Sequence, residues 1–175
     1  MLTEWKKLGE ESARFGFRHL LKRLYEMPDG KEADFYVVDG GRVACVLALT
    51  PENKVILAQQ FRPGPEKVLL ELPGGGINDE EEPLAAARRE TLEETGYDGD
   101  FQFIGTSLTG GYSTMIRYNF VATNCRKVQE QHLDEFEFIE VVEMPLEEFR
   151  AHLRQGGLTD VATGYQGLEF LKLLS

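Results

Sequence analysis

The segment that most constrains the fold is RVACVLALT, residues 42–50, because its apolar residues follow one another without alternation. A strand with one face in water alternates apolar and polar side chains, whereas a strand buried on both faces forms a continuous apolar run. The segment is therefore predicted to be a strand in a sheet that is covered on both sides. A turn at 51–54 and the stretch VILAQQFR at 55–62 predict that the chain returns as a second strand.

The following residues alternate between strand-like and helix-like patterns. We predict further strands at 68–76, 101–108, 115–123 and 138–145, and helices at 83–95, 145–155 and 162–174. Mixed strands with a few helices indicate an α/β or α+β domain. The polar segment 125–136 has neither periodicity and is predicted to be a loop.

The first forty residues are predicted to form a β-hairpin appendage. Residues 13–27 are interpreted as one extended strand, Pro28-Asp29-Gly30 as a turn, and residues 32–39 as a second strand. The chain is thus divided into a hairpin at 1–40 and a main domain at 41–175. Because two strands have little core of their own, the hairpin predicts a homodimer.

Charge and hydropathy limit the partners. The net charge of −11 repels phosphate backbones and disfavours nucleic acid, but it is compatible with a small anionic substrate that binds together with metal ions. No apolar run approaches the ~20 residues that span a bilayer, and the N-terminus lacks a signal-peptide pattern. Cys45 and Cys125 are not spaced like metal ligands and are typical of buried thiols in a reducing compartment. We therefore predict a cytoplasmic protein without a membrane partner.

The helix at 83–95 carries Glu90, Glu93 and Glu94 within five residues. Spacings of three and four place these carboxylates on one face, where repulsion costs about 0.2–0.5 kcal/mol per pair. A solvated acidic face is one interpretation. The other is a bound divalent cation, and an oxygen-only cluster suits Mg²⁺ or Mn²⁺ rather than zinc.

The neighbours of these glutamates favour the cation. Arg89 lies four residues before Glu93 and can brace it. The glycine run 74–76 leaves backbone carbonyls accessible and allows a ligand to approach closely, so Gly76 is a candidate substrate contact.

Together these residues resemble the signature of the Nudix hydrolase family. That signature runs Gly, five residues, Glu, seven residues, and then Arg-Glu-apolar-any-Glu-Glu-any-Gly-apolar. All seven fixed positions are matched, by Gly75, Glu81, Arg89, Glu90, Glu93, Glu94 and Gly96. Thr91 stands where an aliphatic residue is usual, and its methyl group can still pack.

The resemblance implies a fold, a reaction and a metal site. Nudix enzymes hydrolyse a diphosphate linked to another moiety, and their fold is an α/β/α sandwich around a mixed sheet. By this resemblance Glu90, Glu94 and the carbonyl of Gly74 bind metal, Glu93 lies beside them, and Arg89 orients the glutamates. The ions would bridge phosphate oxygens and lower the pKa of a bound water, which explains how an acidic site can hold a diphosphate.

Other stretches resemble the ADP-ribose and nucleoside diphosphate-sugar pyrophosphatase branch. They are the turn at 28–30, QQFRPG at 59–64, ELPGG at 71–75 and GLTDVATGYQGLEFL at 157–171. In that branch the N-terminal hairpin exchanges with a second subunit, and substrate binds between subunits. The arginine of QFR, here Arg62, contacts substrate there, and an ordinary surface arginine is the alternative.

The resemblance also points to a catalytic base on a mobile loop after the signature, as a glutamate in a pattern like E-F-apolar-E-V. Glu137 fits that pattern, and Glu135 is the second candidate. The roles could be split, with Glu137 at a metal and Glu135 at the attacking water. For either residue a solvated acidic loop is the alternative.

The substrate preference is read from LTGGYSTM, residues 108–115. Enzymes specific for ADP-ribose usually have a proline where Gly110 stands and a glutamate where Met115 stands, whereas Gly111 and Tyr112 match and are candidate substrate contacts. ADP-ribose, cleaved to AMP and ribose 5-phosphate, is the lead substrate, and other nucleotide sugars such as GDP-mannose stay open.

An aromatic side chain could stack on the substrate base. The candidates are Tyr112, Phe15, Phe17 and Tyr36, although a core position is the favoured interpretation of each. Two other functions are compatible with the family. Action on RNA 5′ ends is disfavoured by the net charge of −11, and a non-catalytic nucleotide-binding module is disfavoured by the intact signature.

Overall fold

The structure is a computed structural model that describes residues 3–174. It divides into two compact units. The first takes in the N-terminal residues up to Gly41 together with Leu108–Ile116, and the second consists of Arg42–Ser107 and the chain from Arg117 onward.

The first unit is an antiparallel sheet of three strands in the order β1-β2-β3. The strands are β1 (Lys6–Phe15), β2 (Arg18–Glu26) and β3 (Glu32–Asp39). The expected hairpin is formed by β2 and β3, and β1 adds a further strand. A single strand over 13–27 is wrong, because Gly16 adopts a left-handed φ of 59° and the chain reverses there into β2.

Aromatic residues on the first unit have two environments. Trp5, Tyr25 and Phe35 contact one another, with ring centroids 5.4–6.3 Å apart. The side chains for which a core position was expected are instead at least 64% exposed in the single chain: Phe15, Phe17, Tyr36 and Tyr112. That expectation is wrong because all three helices within residues 3–174 belong to the second unit, so no helical layer of the first unit covers this sheet.

The second unit contains a seven-stranded sheet. Its strands are β4 (Arg42–Leu49), β5 (Lys54–Arg62), β6 (Lys67–Glu71), β7 (Gly74–Gly76), β8 (Tyr97–Leu108), β9 (Ile116–Lys127) and β10 (Glu140–Pro145). Their order is β10-β5-β4-β9-β8, with β6 paired to β5 and β7 paired to β4. The single strand expected over 68–76 is therefore two strands, which separate at Leu72-Pro73 and pair with different neighbours.

Helices cover both faces of this sheet. The helices are α1 (Pro83–Thr95), α2 (Leu146–Gln155) and α3 (Val161–Phe170). Ala44, Val46 and Ala48 of β4 pack in one core with residues of α1, whereas Cys45, Leu47 and Leu49 pack in the other core with residues of α2 and α3. The predicted α/β/α sandwich is thus confirmed, and β4 is buried on both faces as its apolar run indicated.

Helix α1 has the bounds that the sequence predicted. Pro83 lies in its first turn, and Gly96 ends it with a φ of 75° and an N–H that donates to the carbonyl of Leu92. A β-carbon on Gly96 would also lie 2.2 Å from the carbonyl oxygen of Gln129. Glycine is therefore required there for a second reason, the close approach of the segment after β9.

The loop predicted at 125–136 lies three residues later, at 128–139, between β9 and β10. Residues 125–127 complete β9, and residues from 128 onward pack on the end of α1, where the N–H of Val128 donates to the carbonyl of Gly96 at 2.9 Å. Within residues 3–174, the helices are too short and too polar to cross a bilayer.

Candidate active site

The glycine strand β7 meets the glutamates of α1. The amide N–H of Gly74 donates to Oε2 of Glu94 at 2.8 Å. A β-carbon on Gly75 would lie 2.5 Å from the carboxyl carbon of Glu90, so any larger residue would displace that carboxylate. The structure therefore brings Gly74, Glu90 and Glu94 together, and it explains why residue 75 is a glycine.

Arg89 joins the acidic residues to one another. Its Nη1 donates to Glu90 at 2.8 Å and to Glu93 at 3.0 Å, and its Nε and Nη2 donate to the two carboxylate oxygens of Glu81 at 2.8 and 2.9 Å. Its Nη2 also donates to the carbonyl of Gly76 at 3.0 Å. One guanidinium thus fixes the orientation of three carboxylates and of the glycine strand.

These contacts shift the pKa values of the carboxyl groups in opposite directions. Hydrogen bonding to Arg89, aided by the amide of Asn78, lowers the pKa of Glu81 to about 2. Burial raises the pKa of Glu94 to about 8, and burial likewise raises that of Glu90. The negative charge of Glu137 adds to both increases.

The donor chemistry fits a hard divalent cation. The buried carboxylate of Glu94 has the amide of Gly74 as its hydrogen-bond partner, and Glu90 and Glu137 increase the negative potential around it. In the described residues 3–174, no three carboxylate, imidazole or thiol groups already converge on a single metal position. Arg89 bonds Oε1 of Glu90, and no hydrogen bond within the described part of the chain engages its Oε2, so this oxygen is open to a cation.

Arg62 is anchored by a buried carboxylate. Its Nε donates to the carboxylate of Glu71, which is fully buried and also accepts the amide N–H and the hydroxyl of Thr159. The positive charge of Arg62 offsets part of the increase that burial causes in the pKa of Glu94. Arg62 is thus a partly exposed arginine held by an ion pair to Glu71, and a contact with substrate stays a prediction. Sequence reasoning did not identify Glu71, although a lone carboxylate in the apolar stretch VLLEL was a usable signal.

The segment after β9 carries the two candidate bases. The carboxylate of Glu137 accepts the amide N–H of Asp134 at 3.1 Å, and this residue is partly buried. Glu135 is exposed, and no side-chain hydrogen bond or ion pair connects it to another residue of the described chain. The charge of Glu137 thus acts on Glu90 and Glu94, whereas Glu135 is exposed.

Gly111 and Tyr112 belong to the first unit. The N–H of Val38 in β3 donates to the carbonyl of Tyr112 at 2.9 Å, and Thr114 donates back to Val38 at 2.9 Å. These bonds hold the 108–116 segment against β3 and leave the Tyr112 side chain exposed.

Comparison with known proteins agrees with the signature. The family match is to the NUDIX domain and covers residues 40–161. ADP-ribose pyrophosphatase of Bacillus subtilis (strain 168) is 33% identical over 151 residues, which are 85% of this chain and 81% of that protein. GDP-mannose pyrophosphatase of Cronobacter sakazakii (strain ATCC BAA-894) is 34% identical over 139 residues, 73% of this chain and 72% of that protein.

A solved structure, described as the crystal structure of an ADP compounds hydrolase, has the same fold. Its TM-score is 0.82 over 98% of this chain and 96% of that chain, at 20% sequence identity.

Proposed function

Because this chain belongs to the Nudix family, we propose that it uses a divalent cation, Mg²⁺ or alternatively Mn²⁺, to hydrolyse the diphosphate bond of a nucleoside diphosphate sugar. It is a hydrolase of pyrophosphate bonds. The proposal rests on one observation. Gly74, Glu90 and Glu94 lie together, and Arg89 orients the glutamates.

The cation would be held by Glu90, Glu94 and the carbonyl of Gly74, with Glu93 and Glu137 adjacent. When bound, such an ion neutralises phosphate charge and lowers the pKa of a coordinated water. All of these ligands are oxygen atoms, which favours Mg²⁺.

The chain's own residues complete the reaction. Glu137 accepts a proton from the attacking water, because the carboxylates of Glu90 and Glu94 are occupied in holding the ion. Arg62, fixed through its Nε by Glu71, presents the rest of its guanidinium to phosphate oxygens. Arg89 keeps the glutamates in place and so maintains the shape of the site.

ADP-ribose, yielding AMP and ribose 5-phosphate, is the proposed lead substrate, and GDP-mannose is the alternative. Relatives named for both are similar to this chain, at 33% and 34% identity. Gly110 stands in place of the proline typical of ADP-ribose enzymes, which keeps GDP-mannose open. Gly76, Gly111 and the exposed ring of Tyr112 are the proposed contacts for the rest of the substrate.

A panel of nucleotide sugars tests this function. With Mg²⁺ present, chromatography should resolve AMP and ribose 5-phosphate from ADP-ribose, and EDTA should abolish the reaction until Mg²⁺ is restored. GDP-mannose is assayed in parallel under the same conditions. Turnover that survives thorough chelation, or an absence of nucleotide monophosphate from every member of the panel, contradicts the proposal.

We also propose that the chain forms a homodimer through the N-terminal residues 1–40, with 41–175 as the hydrolase domain. The exposed aromatic rings of Phe15, Phe17 and Tyr36 support this, because such rings are enriched at interfaces. Sedimentation at micromolar concentration should give the mass of two chains. A fully active monomer would refute both the dimer and a substrate site shared between subunits.

A cytoplasmic location stays a prediction. It is supported by the two free, buried thiols of Cys45 and Cys125, which suit a reducing compartment.

A further inference from the structure

The C-terminal end of α1 is covered by the segment that leads to Glu137. The last carbonyls of a helix have no partner within it and need donors from elsewhere. Here the amide of His132 donates to the carbonyl of Glu93 at 2.9 Å, and Nε2 of Gln131 donates to the carbonyl of Glu94. The proposed metal-binding helix therefore ends on this segment.

Gln131 makes a second bond with the same nitrogen. Its Nε2 also donates to the carbonyl of Ile139 at 3.1 Å. An amide –NH₂ carries two protons, so both bonds can exist together. Ile139 is buried and directly precedes β10. Gln131 therefore connects α1 to both ends of the loop 132–138.

The loop between these attachments is folded around Glu137. The amide of Glu137 donates to the carbonyl of Asp134 at 3.0 Å, and its carboxylate accepts the amide of Asp134 at 3.1 Å. The loop is thus a short turn with fixed ends. Besides the backbone bond from His132 to Glu93, its position relative to Glu94 depends on the side chain of Gln131.

We infer that Gln131 is the positioning residue for Glu137, because its amide ties both ends of the Glu137 loop to the main chain of Glu94. The catalytic effect of Gln131 rests on the proposed hydrolase function. The tie itself is a property of the fold and can be measured without turnover.

Gln131→Met tests the inference, since methionine has nearly the same length and no donors. Loss of two hydrogen bonds near the base should lower kcat about tenfold, with KM changed less than about twofold. Backbone amides of 132–138 should exchange with deuterium faster than in the wild type. Gln131→Glu, which keeps the shape and cannot donate, should behave alike and replaces Gln131→Met if that variant unfolds. Gln129→Met, at an exposed position of the same segment, is the control and should leave both measurements unchanged.

A double-mutant cycle separates positioning from general stability. In a Glu137→Gln background, Gln131→Met should lower kcat by less than about twofold further, because its effect passes through the Glu137 carboxylate. Equal factors in both backgrounds would overturn the inference, as would unchanged exchange in 132–138. If the wild type hydrolyses no nucleotide sugar, the proposed function fails, whereas the exchange rates still decide whether Gln131 holds the loop.

Discussion

Glu94→Gln should lower kcat for nucleotide-sugar hydrolysis by roughly 10²- to 10³-fold, because it removes the charge of a proposed metal ligand and keeps its shape. Glu94 is 4% exposed and its carboxylate already accepts the amide of Gly74, so the side chain has one fixed position next to β7. Glutamine can retain that hydrogen bond through its amide oxygen, but it has no net charge to offer a cation.

The fold of this variant should survive. Burial raises the pKa of Glu94 to about 8, so the folded state disfavours the ionised carboxylate, and a neutral amide should not lower the melting temperature in EDTA. Mg²⁺ should raise the melting temperature of the wild type and have a smaller effect on Glu94→Gln, because a ligand stabilises the state that binds it. Glu80→Gln removes an exposed charge from the preceding loop and serves as the control. A near-normal rate together with an unchanged response to Mg²⁺ would show that Glu94 holds no metal.

Glu137→Gln should reduce kcat strongly with little change in affinity for the nucleotide sugar, because proton transfer is needed in the transition state. Burial raises the pKa of Glu90 and of Glu94, and the negative charge of Glu137 adds to both increases. Glu135→Gln should have the smaller effect, since the Glu135 side chain is exposed and makes no hydrogen bond or ion pair within the described chain.

Initial rates at saturating and limiting substrate distinguish the outcomes. If Glu135→Gln is the inactive variant and Glu137→Gln is near wild type, the base assignment is wrong by two residues. A higher Mg²⁺ requirement in Glu137→Gln would instead place Glu137 among the metal ligands and leave Glu135 as the base. If neither variant loses activity, the loop only closes the site, and the base lies among Glu93 and the other α1 carboxylates.

Much of the second unit could be predicted because its signals are local. The apolar run of β4 indicated burial on both faces, and Pro83 and Gly96 marked the ends of α1. The spacing of Glu90 and Glu94 placed both on one face of that helix. Each of these inferences depends on residues that are near one another in the sequence.

The remaining features depend on contacts between distant segments. Gln131 meets the main chain of Glu94 from 37 positions away, and Thr159 reaches Glu71 from 88 positions away. Nothing in the local pattern of a polar loop distinguishes Gln131 from its neighbours. The aromatic residues of the first unit were misassigned to a core for a related reason, since hydrophobicity alone does not reveal which face of a sheet receives a covering layer.

The alternation along β4 has a consequence for protein engineering. Its even-numbered side chains, such as Val46, share a core with α1, whereas its odd-numbered ones, such as Leu47, share a core with α2 and α3. Redesign for heat resistance can therefore be confined to the odd-numbered side, which the sheet separates from α1. The odd-numbered side of β4 can thus accept substitutions for stability. The even-numbered side packs on α1, whose glutamates are proposed to serve turnover.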